Sequence, residues 1–285
     1  PSQAQTAAIE IARDPEFASL VITATGLTGA SFTPTADLPL RAVYYWRVRM
    51  ANVCGSGAAS AVYTFTTRSA PGDCAPGAEP TVLYSSDFEG GNVAGWTAET
   101  VTGDNRWTLS TAYPHSPVQA WHAADPISVS ETRLLSPPLA LPAGQNPLML
   151  RFWNRQMLEP ATAGCYDGGL LEITTDGGAT WEQPPNEALL THPYSGPIKA
   201  DFGNPLAGRL AWCEDVWWYW QNIVDLSRYA GQTAQLRFVV GTDASVGRAT
   251  GGWDIDDLSV QSCQPRVATF VFMPNRWRLI SLSAP

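Results

Sequence analysis

Two adjacent carboxylates, Asp256 and Asp257, stand in a segment that otherwise has the apolar alternation of a β-strand, GGWDIDDLSV at residues 251–260. Successive side chains of a strand point to opposite faces, so one of the two would face the core unless a partner holds it elsewhere. A buried carboxylate needs a cation or several hydrogen-bond donors. We therefore expect another segment of the chain to bring such a partner to this strand.

A second acidic pair is a candidate for the same site. Asp87 and Glu89, in SSDFEGG, are two residues apart, which places both on one face of a predicted strand and directs Phe88 into the core. Carboxylates that converge without a basic partner repel one another, whereas Ca²⁺ accepts about six to eight oxygen ligands and removes the conflict. Asp104, in the predicted turn before Trp107, is a candidate for a further ligand.

Aromatic residues crowd the segment AWCEDVWWYW at 211–220. Read at a period of two, it places Trp218 and Trp220 on one face and Trp217 and Tyr219 on the other. One set should belong to the core, and the other would form an exposed strip on which sugar rings stack or proteins dock, with Trp217, Trp218 and Trp220 as the candidate ligand-facing residues. The alternative is that a broad sandwich buries most of them.

Catalytic motifs are absent from the sequence. None of the three histidines, at 115, 122 and 192, belongs to an HExxH helix, and no serine lies in a GxSxG elbow. Glu159, Asp167 and Glu172 would be enough carboxylates for a glycosidase, but the sequence supplies no cleft to hold them. We predict that the chain is not an enzyme.

Composition narrows the class of protein. Hydrophobic residues make up 45% and charged residues 15%, with 24 Gly, 23 Pro and 12 Trp, which favours an all-β, turn-rich protein. The net charge of −9 and the 17 scattered Lys and Arg residues argue against a nucleic-acid partner. No apolar run reaches the ~20 residues of a transmembrane helix, and any signal peptide is expected to have been removed or to lie upstream.

The alternation of apolar and polar residues divides the chain. Residues 69–80, within RSAPGDCAPGAEP, are rich in Pro, Gly and Ala and predict a linker. Before it, the run YYWRVRMANVCGSGAASAVYTFTT resembles the last strands of a fibronectin type III domain, which implies an immunoglobulin-like sandwich over residues 1–68. Such a domain has roughly seven strands. About five are counted here, so the first two are expected to be missing.

Residues 81–263 carry a longer series of predicted strands, whose number and spacing suit a jelly-roll sandwich. The motifs DFEGG, YDGGLLEITTDGGATW, NPLAGRLAW, VDLSRYAGQTAQLRFVVGTDASVG and GWDIDDLSV resemble the MAM-type, immune inhibitor A-like jelly roll of secreted bacterial peptidases and surface proteins. In that group the domain is an accessory module. The remaining residues, 264–285, form a tail with two β-like runs, 266–272 and 277–283.

The resemblance implies that the first and last strands are neighbours, which would bring Asp87 and Glu89 toward Asp256 and Asp257. It also implies a bound cation at this corner, which we predict to be a structural calcium ion. The alternative without a metal is that Asp257 caps backbone amides while Asp256 faces water.

Five cysteines without metal-binding spacing predict disulfides and an oxidising, extracellular setting. Cys165 and Cys213 lie inside the jelly roll and form the first expected pair. Cys74 and Cys263 bracket that domain and form the second. A Cys54–Cys74 pair competes with it, and the sequence does not choose between them.

These features together predict a non-catalytic, extracellular, calcium-stabilised binding or adhesion module of a larger secreted bacterial protein. We expect that larger protein to be a peptidase, of which this chain is an accessory region. Its partners would be a protein or glycan on a surface, or copies of itself. One alternative is a carbohydrate-binding module that uses the 212–220 aromatics. Another is a self-assembling filament, in which the tail 266–285 of one molecule completes the N-terminal sandwich of the next by donor-strand exchange.

Overall fold

The computed structural model describes residues 5–265 except positions 30, 37, 40, 41, 68, 76, 77 and 91. It divides into two compact units, Pro1–Pro76 and Gly77–Pro285. The first strand of the second unit begins at Ala78 and its last strand runs to Pro265, so the expected linker 69–80 contributes its final residues to the second unit. Both β-like runs of the tail lie outside the described residues.

The first unit contains five strands: β1 (Thr6–Ala12), β2 (Leu20–Leu27), β3 (Val43–Asn52), β4 (Gly55–Ala59) and β5 (Tyr63–Thr66). They form one antiparallel sheet in the order β2-β1-β3-β4, with β5 also paired to β3. A second layer of strands does not occur among the described residues of this unit. The number of strands equals the five counted in the sequence, and the assignment to a fibronectin type III domain stays a prediction.

The two faces of this sheet differ in polarity. Ile9 pairs with Val48 and Ile11 with Trp46, which places these apolar side chains on one face. The opposite face carries polar groups such as the Arg47–Glu10 ion pair at 2.5 Å. The apolar face borders a groove of about 650 Å³.

The second unit contains fifteen short or long strands: β6 (Ala78–Ser86), β7 (Thr97–Thr102), β8 (Thr108–Ser110), β9 (Ala120–Asp125), β10 (Ser130–Leu135), β11 (Leu139–Ala140), β12 (Leu148–Met157), β13 (Pro160–Ala161), β14 (Gly164–Cys165), β15 (Gly168–Thr174), β16 (Gly196–Pro197), β17 (Leu210–Ala211), β18 (Trp220–Asp225), β19 (Thr233–Thr242) and β20 (Arg248–Pro265). Two single-turn 3₁₀ helices, Asn186–Ala188 and Ser227–Tyr229, lie between them. Among the residues the structure describes, no helix has the length and apolarity to cross a membrane.

Two sheets of the second unit enclose its core. The six-stranded sheet has the order β18-β12-β20-β9-β8, with β6 on β20, and the five-stranded sheet has the order β11-β19-β10-β7, with β15 on β19. Phe152 and Trp253 from the first sheet meet Phe238 from the second, with ring centroids 5.2 and 5.8 Å from that of Phe238. Gly169 allows this packing, because a Cβ there would meet the Trp253 ring at 2.4 Å. The all-β sandwich architecture expected from the sequence is confirmed.

Strand β20 does not alternate strictly. Its pairing with β12 shifts register between Arg151 and Trp153, and Asp257 has a positive φ of 44°. This is a β-bulge, which inserts one extra residue and so lets two successive side chains leave by the same face. Ile255 and Leu258 are both buried in the core, while Asp256 and Asp257 both point away from it.

The disulfide expected inside the jelly roll is present. Cys165 and Cys213 are bonded with a Cα–Cα distance of 5.6 Å and a sequence separation of 48 residues. Cys74 and Cys263 are also disulfide-bonded, whereas Cys54 is a free, exposed thiol. The alternative Cys54–Cys74 pairing is therefore wrong.

Replacing both Cys165 and Cys213 with Ala should lower the free energy of unfolding by about 4 kcal/mol in the chain-entropy model for a loop of this length. Urea unfolding followed by tryptophan fluorescence measures the loss. The matched control is Cys54→Ala, which removes an exposed thiol and should leave stability unchanged. A double variant as stable as the control would contradict the prediction.

Candidate functional site

The corner predicted from the acidic residues exists, and Asp256 is its buried centre. The Asp256 side chain is 0% exposed and accepts hydrogen bonds from the backbone N–H groups of His115 and Ser116, each at 2.9 Å. The Asp257 N–H donates to its other oxygen at 2.8 Å. The partner that the strand requires thus comes from the loop between β8 and β9.

Glu89 meets the same loop from the end of β6. One carboxylate oxygen of Glu89 accepts the backbone N–H groups of Val118 and Gln119 at 2.8 and 3.0 Å. The Ser116 hydroxyl bridges the two acids, because its Oγ lies 3.0 Å from Glu89 and 3.2 Å from both oxygens of Asp256. We call residues 113–119 the bridging segment.

Asp87 and Asp257 occupy the rim of the corner. The Asp87 side chain accepts the Asn92 amide at 2.8 Å, and the Asp87 carbonyl lies 3.3 Å from Ser116 Oγ. Asp257 is partly exposed and its Oδ2 lies 2.5 Å from His115 Nδ1. The roles of the adjacent acids are therefore the reverse of the metal-free alternative stated above, since Asp256 binds amides and Asp257 borders solvent.

Asp104 is not brought to this corner. The next residue, Asn105, donates its side-chain amide to the Ala124 carbonyl near the end of β9, whereas Glu89 bonds to Gln119 just before that strand begins. A strand of this length separates the two positions by roughly 15–20 Å. The turn that carries Asp104, between β7 and β8, therefore lies at the opposite end of β9 from Glu89.

The surroundings of each acid shift its pKa in a different direction. Burial raises the pKa of Asp256, although the N–H groups of Ser116, Asp257 and His115 oppose the shift. The Gln119 N–H lowers the pKa of Glu89, and the Asn92 side chain lowers that of Asp87. Hydrogen bonds to the charged form favour it, and desolvation disfavours it.

The oxygen atoms of the corner are the kind of ligand that a hard cation such as Ca²⁺ prefers. Four oxygens, from Asp87, Glu89 and Asp256, lie within 3.3 Å of Ser116 Oγ, and one hydroxyl proton can satisfy only one of them. Calcium binds carboxylate, carbonyl and hydroxyl oxygens of this kind. Backbone amides already bind two of the carboxylates, so the corner is also held without an ion.

A surface of aromatic side chains adjoins the bridging segment. Trp217 and Trp218 are 59% and 55% exposed, Trp220 is half-buried and Trp212 is in the core. The period-two reading was wrong for this segment, because strand β18 begins only at Trp220 and the two exposed residues lie in a bend. We call Trp217 and Trp218 the tryptophan pair.

A buried ion pair, formed by Arg155 and Asp254, lies next to the tryptophan pair. Arg155 is 1% exposed and bonds to Asp254, whose other oxygen lies 2.9 Å from His122 Nδ1. The Arg155 guanidinium lies 4.0 Å from the Tyr113 ring centroid and 6.0 Å from that of Trp217. Cations at such distances from a ring are attracted by its face.

Further ring contacts fix the same loop. The Tyr219 hydroxyl donates to the Tyr113 carbonyl at 2.7 Å, and the rings of Trp218 and Trp220 meet edge to face at 5.8 Å. His115 stacks on Trp153 with centroids 3.9 Å apart. The bridging segment therefore contacts both the acidic corner and the support of the tryptophan pair.

The histidines and serine of this region do not form a nucleophilic triad. Such a site needs a serine hydroxyl bonded to the histidine ring. Ser116 Oγ instead faces Glu89 and Asp256, while His115 Nδ1 faces Asp257. Burial lowers the pKa of His192, whose ring packs against Trp220 at 4.3 Å.

A second acidic group, which the sequence does not identify as a site, lies elsewhere in the same unit. Ligand atoms of Glu159, Asp167 and Asp243 all lie within 4.8 Å of one another, an arrangement that could hold a metal. Burial raises the pKa of Asp167, and the nearby Asp125 carboxyl raises it further. The three acids follow separate strands in loops without alternation, so only their common position after strand ends could have signalled the group.

Glu172, the third carboxylate considered for a glycosidase, has a structural environment. It is 4% exposed and accepts Arg209 at 2.8 Å and Arg237 at 2.5 Å. Its two carboxylate oxygens therefore each bind a guanidinium group. It is not part of the acidic group of Asp167.

Comparisons with known proteins give structural likenesses only. No family model matches the chain, and a search of curated sequences finds no match. The chain is similar to a carbohydrate-binding module, TmCBM61, solved with β-1,4-galactotriose, at 13% identity and a TM-score of 0.37 over 61% of this chain and 92% of that one.

Two further solved structures show the same level of likeness. The K3 cleaved adhesin domain of Lys-gingipain from Porphyromonas gingivalis is 17% identical with a TM-score of 0.38, over 63% of this chain and 98% of that one. A carbohydrate-binding module of the β-sandwich superfamily is 11% identical with a TM-score of 0.38, over 90% and 86%. At these values no residue role transfers to this chain.

Proposed function

We propose that this chain is a non-catalytic extracellular binding module, and that its second unit binds a surface ligand, a glycan in the first instance, through the tryptophan pair. The observation that carries the proposal is the exposure of two adjacent tryptophans on a loop fixed by Arg155 and Tyr219. Large exposed apolar side chains in a fixed arrangement are typical of binding surfaces.

Tryptophan suits this role for physical reasons. Its ring offers a large apolar face to a sugar ring or a protein side chain, and its indole N–H adds a hydrogen bond. Because the loop is already anchored, little conformational entropy is lost on binding. The two disulfides favour an oxidising compartment. Attachment to a secreted bacterial peptidase, as the motif resemblance implies, is part of the proposal.

Replacing Trp217 and Trp218 together with Ala should weaken retention on insoluble polysaccharides by more than about tenfold, since truncating aromatic anchors removes most of the binding energy. The measurement is a depletion assay with a panel of polysaccharides and a glycan array. Phe202→Ala is the matched control, because Phe202 is an exposed aromatic residue of the same unit, 47% exposed. If neither the polysaccharides nor the glycan array retain the unsubstituted chain, the ligand is not a glycan.

A calcium ion at the Asp87, Glu89, Asp256 and Asp257 corner is a second element of the proposal. Its support is the crowding of oxygens around Ser116 Oγ. Bound there, the ion would supply positive charge to the corner and hold the bridging segment in place. Asp256 would be the central ligand, and Glu89 would join it from the end of β6.

Calcium at a hundredfold excess over its dissociation constant should stabilise the chain by about 2.7 kcal/mol and raise the melting temperature by several degrees. Asp256→Asn should remove the part of this rise that the corner supplies, because Asn keeps an acceptor oxygen but loses the charge. Melting in chelator and in calcium measures both chains, with Asp201→Asn at an exposed position as the control. A full calcium response in Asp256→Asn would overturn the corner site.

Self-assembly is a second candidate function, favoured by the apolar groove of the first unit. The groove is lined by residues of four of its strands, among them Ile9, Leu27 and Val48, and by Phe32 and Leu38 of the β2–β3 connection. An apolar groove beside a sheet favours docking of a strand from another chain. We propose the tail 266–285 of a second copy as the occupant, since it carries two alternating β-like runs.

A chain ending at residue 265 should be monomeric under conditions in which the full chain associates. Light scattering over a range of concentrations measures the mass of both. Val48→Asp provides a second variant, because it places a charge in the groove and should also prevent association, while Arg49→Asp on the opposite face should not. A full chain that stays monomeric at high concentration excludes strand exchange.

A further inference from the structure

The acidic group of Glu159, Asp167 and Asp243 lies at one end of the β-sandwich. Glu159 follows β12 of the six-stranded sheet, and Asp243 directly follows β19 of the five-stranded sheet. Asp167 directly precedes β15, which pairs with β19 from Gly168 and Gly241 onward. Asp125, at the end of β9, lies close enough to this group for its carboxyl to raise the pKa of Asp167.

Several oxygens of this group are buried without a donor. Asp125 is 2% exposed, and neither of its carboxylate oxygens receives an N–H or a hydroxyl donor; Oδ2 of Asp167, a residue that is 0% exposed, also receives none, and the two carboxyls act on each other. The other oxygen of Asp167 accepts the Asp243 N–H at 2.6 Å. Buried polar atoms without partners are rare, and each calls for an explanation such as an ion.

The nearby donors do not neutralise the group. Ser245 donates its N–H and hydroxyl to one oxygen of Asp243, both at 2.7 Å, and its hydroxyl lies 3.2 Å from Glu159. Arg248 is the cation that acts on Asp125 and Glu159, but its guanidinium is bonded to Asp215 at 2.5 Å. Two of the four carboxylates are therefore influenced by one guanidinium, which already binds Asp215.

We propose that Asp125, Glu159, Asp167 and Asp243 form a binding site for a divalent cation, with Ca²⁺ as the ion that the oxygen-only donor set favours. The site has four carboxylate ligands, from three loops and the end of β9, enough for most of the coordination sphere of calcium, with water completing it. Binding would tie the ends of the two sheets together and remove the repulsion among buried charges.

This site is separate from the Asp256 corner. The corner lies at the beginning of β9, next to Gln119, and the acidic group lies at its end, at Asp125. Six residues of extended chain place them roughly 20 Å apart. The acids of the corner receive backbone amides, whereas three oxygens of the second group receive no donor. The inference does not depend on the tryptophan pair.

Two measurements on the full chain test the site: calcium binding by isothermal titration calorimetry, and melting temperature in chelator and in calcium. Asp167→Asn should bind about one calcium ion fewer per chain than the parent. In chelator it should melt at or above the parent temperature, because a repelling charge is gone, and in calcium it should melt below it. A variant that melts no lower than the parent in chelator but below it in calcium indicates a cation site. Loss of a purely structural hydrogen bond would lower the melting temperature of the variant in both conditions.

Asp125→Asn is the second variant and should behave in the same way, because neither oxygen of Asp125 has a donor to lose. Asp201→Asn, which makes the same change at an exposed position, is the control and should match the parent in both assays. The proposal is overturned if Asp167→Asn and Asp125→Asn keep the calcium stoichiometry of the parent. A lower melting temperature of both variants in chelator and in calcium, with an unchanged calcium response, would also overturn it.

Discussion

The bulge at Asp257 is the constraint on which the arrangement of the second unit depends. Strand β20 pairs with β12, β9 and β6, and it must bury Trp253, Ile255 and Leu258 while keeping its acids out of the core. Strict alternation cannot do this, because an alternating strand places a single residue between two that face the same side. Two residues, Asp256 and Asp257, lie between the buried Ile255 and Leu258, so the strand must contain an extra residue. Asp257 is at the bulge and has a positive φ, a conformation that Asp tolerates better than most non-glycine residues.

The bulge has consequences on the outer face of the six-stranded sheet. It places Asp256 against the backbone of His115 and Ser116, so the bridging segment is held across the sheet by charge-assisted hydrogen bonds. The same segment brings Tyr113 onto Arg155, whose ion pair with Asp254 is buried beneath it. A surface with two exposed tryptophans therefore lies beside a buried ion pair and the anchored bridging segment, which limit the motion of its loop.

The two acidic groups show how the same residue type reaches different outcomes. At the corner, loop amides converge on Asp256 and Glu89, and their carboxylates are satisfied by the protein. At the other end of β9, the loops supply carboxylates to one another and leave the oxygens of Asp125 without donors. The sequence signal was stronger for the first group, where adjacent acids interrupt an apolar strand, than for the second, where single acids follow separate strands.

The sequence by itself determined the all-β class, a boundary between two units and the Cys165–Cys213 bond. These follow from period-two alternation, from Gly and Pro turns, and from two cysteines in loops of one predicted domain. The meeting of Glu89 with Asp256 was implied by the resemblance of the motifs to a jelly roll and not by local patterns. Only the tertiary structure decided that Asp104 lies far from the corner, that Trp217 and Trp218 are exposed, and that Asp125 joins Asp167. These outcomes depend on a register shift, a bend and the meeting of loops distant in sequence, and no local pattern encodes which distant group will be the neighbour.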